Sequence, residues 1–139
     1  MPVIWAKDNP MPSIKKTSFR SCYEMGLWLT NDGGHFRKPR TFNFLAQNHM
    51  TNVMHYLIGR DGNKRTGHPT EKPERLTQRI IEVFSNPGDI VLDSFACGGT
   101  TGCAAFKSGR NAISIEREAQ YIAMIHERQA AINRQQGNA

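Results

Sequence analysis

The stretch from Ile90 to Glu116 limits the fold of this chain more than any other. Ile90-Val91-Leu92 is a short apolar run of the kind that forms a buried parallel strand. Asp93-Ser94-Phe95-Ala96-Cys97-Gly98-Gly99-Thr100-Thr101-Gly102 follows as a glycine- and threonine-rich turn, and small residues to Ser108 predict a helix that Gly109 ends. Asn111 to Glu116 predicts a second strand, and Glu118 to about Asn133 a second helix with Ile122, Ile125 and Ile132 inward. Upstream, Pro73 suits the first turn of a helix, and Leu76, Ile80 and Phe84 recur on one helical face before Asn86-Pro87-Gly88-Asp89 breaks it. Helix, strand, turn, helix, strand, helix is the order of a βαβ unit, whose crossover is expected to be right-handed.

The front is looser. Residues 3–7, 23–30 and 41–45 read as short strands, 8–20 as a loop carrying Pro10 and Pro12, and 46–67 as irregular. At 139 residues the chain is expected to form one domain. The longest unbroken apolar run is Tyr121 to Ile125, far short of the roughly 20 residues a membrane span needs. With no charged-then-apolar leader, secretion is not expected. Cys22, Cys97 and Cys103 have unrelated spacings, which argues against a disulfide framework or a four-cysteine zinc site and suits a reducing cytoplasm.

Charge is unevenly spread. The chain carries 18 basic and 12 acidic residues, a net +6. Residues 31–66 hold Arg37, Lys38, Arg40, Arg60, Lys64 and Arg65 against Asp32 and Asp61. A concentrated basic segment suits a polyanion such as nucleic acid, although a solvated basic surface has the same composition.

The turn sits where a doubly wound sheet places its ligand, beyond the carboxyl end of a strand. Gly98 and Gly99 allow close backbone approach, and the next helix begins with unpaired N–H groups. A carboxylate at Glu116 can accept hydrogen bonds from both hydroxyls of a ribose, so an adenosine-containing cofactor is expected. The alternative is a tight turn that only packs a helix on a sheet. The G-x-G-x-x-G spacing of a dinucleotide site and the Gly-Lys-Ser/Thr of a Walker loop are both missing. Asp93 would repel a phosphate but attract an ammonium group. S-adenosylmethionine, with an ammonium, a carboxylate, a ribose and no phosphate, fits these residues better.

His68-Pro69-Thr70-Glu71-Lys72-Pro73, the turn from Asp93 to Gly102, and Ile115-Glu116 with Tyr121 resemble the amino-methyltransferases of DNA. Trp5-Ala6-Lys7-Asp8-Asn9-Pro10-Met11-Pro12 is similar to that family's Trp-x-Lys-x-Asn-Pro-x-Pro element, and the order of these elements resembles the permuted (beta-type) class, whose catalytic half precedes its cofactor half. The resemblance implies an α/β, Rossmann-like S-adenosylmethionine-dependent methyltransferase fold, here partial and permuted. It implies methyl transfer to the exocyclic amino group of adenine or to cytosine N4, in the cytoplasm, of the restriction-modification kind. Thr70 and Lys72 would meet the cofactor's methionyl end. Phe95, Gly98, Gly99 and Thr100 would line its pocket, Asp93 would sit near its amino group, and Glu116 would hold the ribose. His68 is expected to be structural and Tyr121 to pack in the core.

Residues 1–30 would then be strands following the catalytic motif, 31–66 the DNA-facing segment with Arg37, Lys38, Arg40, Lys64 and Arg65 on phosphate, and 67–139 the cofactor-binding half. Two departures from the family pattern stand out. Cys97 occupies the first glycine of Phe-x-Gly-x-Gly, where its side chain either crowds the cofactor and changes the backbone angle or turns into the core. Second, the family's Asp/Asn/Ser-Pro-Pro-aromatic tetrapeptide, which orients the amine and stacks on a flipped base, is missing, because the chain contains no Pro-Pro. No catalytic residue is therefore assigned, and methyl transfer is not expected of this chain alone. A central strand would be missing between Ile90–Asp93 and Val3–Lys7, leaving exposed edges for an upstream polypeptide carrying the catalytic half. The competing expectation is a non-catalytic remnant or subunit that binds DNA or cofactor without chemistry.

Overall fold

The computed structural model describes residues 1–29, 41–59 and 71–136. Eight regular elements follow one another: β1 (Pro2–Lys7), β2 (Tyr23–Leu27), β3 (Val53–Tyr56), α1 (Glu74–Phe84), β4 (Ile90–Asp93), α2 (Thr100–Lys107), β5 (Asn111–Ser114) and α3 (Ala119–Gln136). A single 3-10 turn covers Gln47–His49. They build two separate sheets among the described residues, one ordered β2-β1-β3 and one made of β4 and β5.

The back of the chain follows the expected pattern. Asp93 pairs with Ser114 and Val91 with Ala112 in a parallel register. Val91 faces Ile81 of α1 and the fully buried Ala104 and Ala105 of α2. Two adjacent alanines without exposed surface let α1 and α2 pack closely, so small side chains at this crossing carry information. The burial of β4 is a correction: it is covered on one face only. Ile90 and Leu92 are 66% and 61% exposed, and Ile113 and Ile115 share that bare face. The stripe on α1 is also corrected, with Leu76, Ile81 and Val83 buried and Ile80 at the solvent boundary.

The front departs further. No strand forms over 41–45; instead Asn43 caps the end of α1, donating its side-chain amide to the carbonyls of Glu82 and Ser85 at 2.8 Å each. Trp28, Phe42 and Phe84 stack beside it at centroid distances of 5.0–5.7 Å. A strand at Val53–Tyr56 lies inside the stretch expected to be irregular, and it pairs in parallel with β1 while β2 pairs antiparallel on the other side. Paired on both edges, β1 cannot border the gap assigned to it from sequence. Any intervening strand would border β2 or β3 instead.

The glycine turn and its carboxylates

Beyond the carboxyl ends of β4 and β5 the chain makes a tight knot. The Ala96 N–H donates to the Ile115 carbonyl at 2.9 Å, and Gly99 N–H donates back to the Ala96 carbonyl at 2.7 Å. Gly99, at φ 77°, begins α2 with no side-chain cap, so the helix opens on bare N–H groups. A Cβ at Gly99 would lie 2.8 Å from Cγ1 of Ile125, so this glycine is used by α3 packing onto the turn rather than by open space for a ligand.

Glu116 is the organising side chain. One carboxylate oxygen accepts the Cys97 N–H at 2.7 Å, and the other accepts the N–H groups of Arg117 and Glu118 at 2.8 and 2.9 Å. It thus ties the glycine turn to the entrance of α3. Asp93 closes β4 and accepts the Phe95 N–H at 3.1 Å, while the Phe95 ring stands 85% exposed beside the turn.

Cys97 takes a left-handed backbone with φ 49° and is half-buried, so the altered backbone angle expected of it is present. A non-glycine residue there is strained, since its Cβ crowds the following carbonyl. Burial pushes its thiol pKa up, and the nearby Glu116 and Asp93 charges add to that, with Lys72 opposing. Lys72 itself pairs with Glu24 of β2 at 2.5 Å, and Glu24 also holds Lys7 at 3.0 Å. Both ammonium groups lie over the buried Trp5 ring, 5.8 and 5.3 Å from its centroid.

Of the residues proposed from sequence, the structure brings Asp93, Phe95, Gly98, Gly99, Thr100 and Glu116 together on the turn, with Thr100 buried at the first turn of α2, while Lys72 pairs with Glu24 of β2. Thr70 and the five basic candidates Arg37, Lys38, Arg40, Lys64 and Arg65 lie outside the described residues, as does His68. Sequence reasoning missed Glu24 and Arg128. Arg128 had a signal: it falls on the inward stripe of α3 with Ile125 and Ile132, where a charged residue demands a partner.

The parallel pair, the crossover helix and the acid just beyond the second strand define an α/β half-domain of the Rossmann-like kind. The DNA methylase family profile matches residues 2–127, and the chain belongs to that family of N6 and N4 methylases. It is 35% identical over 138 residues to the type II methyltransferase M.HinfI of Haemophilus influenzae, covering 91% of this chain and 38% of that protein. It is 32% identical over 136 residues to the type II methyltransferase M2.DpnII of Streptococcus pneumoniae, covering 94% and 51%. The solved M1.HpyAVI complex with SAM superposes with a TM-score of 0.79 at 32% identity, over 93% of this chain and 61% of that one. The fold is that of these methyltransferases, and the chain spans about half or less of the length of the two curated relatives. Among the described residues, no helix is long and apolar enough to cross a membrane.

Proposed function

We propose that this chain supplies the S-adenosylmethionine-binding half of a site-specific DNA amino-methyltransferase acting on adenine or on cytosine N4. The observation that carries this is the pair of carboxylates, Asp93 and Glu116, that hold the Phe95 and Cys97 N–H groups of the glycine turn at the carboxyl ends of two parallel strands. The donor set fits the cofactor chemically. Asp93 suits an ammonium group, Lys72 a carboxylate, the exposed Phe95 ring an adenine face, and Glu116 a diol. One oxygen of Glu116 accepts the Cys97 N–H and the other the N–H groups of Arg117 and Glu118, so a ribose diol would share this carboxylate with the backbone or displace part of that network. When bound, S-adenosylmethionine supplies an electrophilic methyl on a sulfonium. The residues of this chain bind and orient that group. Gly98, Gly99 and Thr100 shape the floor, and Thr70 joins Lys72 at the methionyl end.

The amine is oriented elsewhere. With no Pro-Pro among these residues, the acceptor for the target amine would come from outside them, on an upstream segment or a second polypeptide. Its strand would extend the sheet from the open edge of β4. Its helix would cover the bare face of Ile90, Leu92, Ile113 and Ile115, because parallel strands are found covered on both sides. DNA would meet the basic 31–66 segment through Arg37, Lys38, Arg40, Lys64 and Arg65, with residues 1–30 and 67–139 on either side of it in sequence. This reading places the chain in the cytoplasm with its DNA.

The test is calorimetric titration with S-adenosylmethionine, followed by methyl transfer to unmethylated DNA with and without a polypeptide bearing an Asp-Pro-Pro-Tyr-type stretch. Saturable binding, with transfer only when the second polypeptide is present, is expected. Transfer by the chain alone would overturn the division of labour. Absence of cofactor binding at millimolar ligand, with DNA binding retained, would favour a non-catalytic DNA-binding module.

A further inference from the structure

Arg128 lies one turn beyond Ile125 on the inward stripe of α3, half-buried, and reaches the glycine turn, the segment before α1 and the start of α1 at once. Its Nη1 donates to the Gly98 carbonyl at 2.5 Å and lies 3.3 Å from Oε1 of Glu71, while Nη2 lies 3.4 Å from Oε2 of Glu74. Glu74, buried at the start of α1, also takes Lys107 from α2 at 2.5 Å. Two acids and two bases therefore neutralise one another in a half-buried cluster. The Gly98 carbonyl is the one group of the glycine turn that this cluster touches.

That contact matters because of what a peptide unit is. The Gly98 carbonyl and the Gly99 N–H belong to one planar trans unit and point in opposite directions. Arg128 grips the oxygen, and the Ala96 carbonyl grips the N–H at 2.7 Å. Glycines on both sides of that unit leave it nearly free to flip, since neither has a Cβ to bias φ and ψ. With its plane pinned at both ends, the backbone leading into the bare N–H groups of α2 keeps one orientation. Because Glu71 adjoins Lys72, the same guanidinium also holds the segment bearing that lysine against the turn.

We infer that Arg128 is a positioning residue: its guanidinium fixes the Gly98–Gly99 peptide plane and docks the Glu71–Glu74 segment beside it, setting the geometry of the ligand turn. The link to ligand rests on the cofactor-binding role proposed above. Lysine cannot substitute, because a single ammonium lacks the planar fork that serves a carbonyl and two carboxylates together.

Hydrogen exchange resolved to single amides tests this on the full chain, alongside titration with S-adenosylhomocysteine, which is unreactive. In Arg128→Lys, exchange at Gly99 is expected to rise about tenfold or more while amides within α1 and α2 keep their protection. The affinity for S-adenosylhomocysteine is expected to fall about tenfold. Unchanged exchange at Gly99 would overturn the inference, and so would equal acceleration across α1 and α2, which marks a residue that only stabilises the fold. Should Arg128→Lys fail to fold, the pair Arg128→Gln with Glu74→Gln removes the fork while keeping the net charge of the cluster unchanged, and the same localised acceleration is expected. A wild-type chain that does not bind S-adenosylhomocysteine would remove the cofactor reading, while the exchange comparison still decides the role of Arg128.

Discussion

The carboxylate of Glu116 accepts the backbone N–H of Cys97 at 2.7 Å, so an acid two residues beyond the end of β5 grips the turn that follows β4. A residue chosen from sequence as a ribose ligand is thereby also the clasp of the site. The two roles compete for the same oxygens, since the clasp places two donors on one oxygen and one on the other. They also predict a double phenotype.

Glu116→Gln keeps the shape and removes the charge. Stability is expected to fall by about 1–2 kcal/mol, as charge-assisted hydrogen bonds to the turn weaken. Affinity for S-adenosylhomocysteine is expected to fall about tenfold or more at a temperature where the variant is fully folded. Urea denaturation and calorimetry read the two effects separately. A stability loss with unchanged affinity would leave Glu116 a clasp and nothing more.

Cys97 sits at φ 49°, where glycine carries no Cβ penalty. Cys97→Gly is expected to be neutral to stabilising by up to about 1 kcal/mol, and Cys97→Val to destabilise by about 1–2 kcal/mol. Urea midpoints decide it. A marked loss on Cys97→Gly would mean that the thiol makes contacts worth more than the strain.

Gly99 combines a positive φ with the Ile125 side chain at 2.8 Å from any added Cβ. Gly99→Ala is expected to cost about 2–4 kcal/mol, from left-handed strain plus overpacking. Truncating Ile125 in the same chain should relieve part of that cost, and a double-mutant cycle measures how much. Strict additivity would contradict the contact.

Glu24 carries the pH dependence. Burial works to raise its pKa, but hydrogen bonds and charge from Lys72 and Lys7 outweigh burial and hold it below the ordinary 4.5. A carboxyl lowered on folding contributes stability that is present above its unfolded pKa and lost as pH falls through its lower folded value. Urea midpoints followed downward from pH 6 are expected to fall less steeply in Glu24→Gln than in the parent chain. Parallel profiles would show that the two lysines do not favour the ionised form.

Much of the half from 71 onward could be read from sequence, because its signals are local. Ile90-Val91-Leu92, the Gly98-Gly99 pair, Gly109 and the inward Ile132 each announce an element within a few residues of themselves. The front could not be read so well, because its order comes from distant partners. Val53–Tyr56 is a strand only because Ile4–Lys7 pairs with it some fifty residues away, and His55 on its solvent side blurs the alternation. Trp5 is buried because its indole N–H finds the Tyr56 carbonyl at 2.9 Å, a bond no local pattern announces. The candidate acids were legible as strand-end carboxylates. Glu24 was not, since its function lies in a side-chain partner 48 residues away, and the inward place of Arg128 on α3 announces a need for a partner but not that the partner is a backbone carbonyl 30 residues away. Ile80, Ile90 and Leu92 were misplaced for another reason: an apolar residue shows that a face can be buried, not that this chain supplies the cover.

The central claim is that the loop between Asp93 and Thr100, closed by Glu116, seats an adenosyl ligand. The most direct measurement is a crystal structure of the chain with S-adenosylhomocysteine. The account predicts both ribose hydroxyls on the Glu116 carboxylate, the adenine against Phe95 and the amino acid end between Asp93 and Lys72. A ligand bound elsewhere, with Cys97 filling the turn and Glu116 serving only its backbone partners, would contradict it.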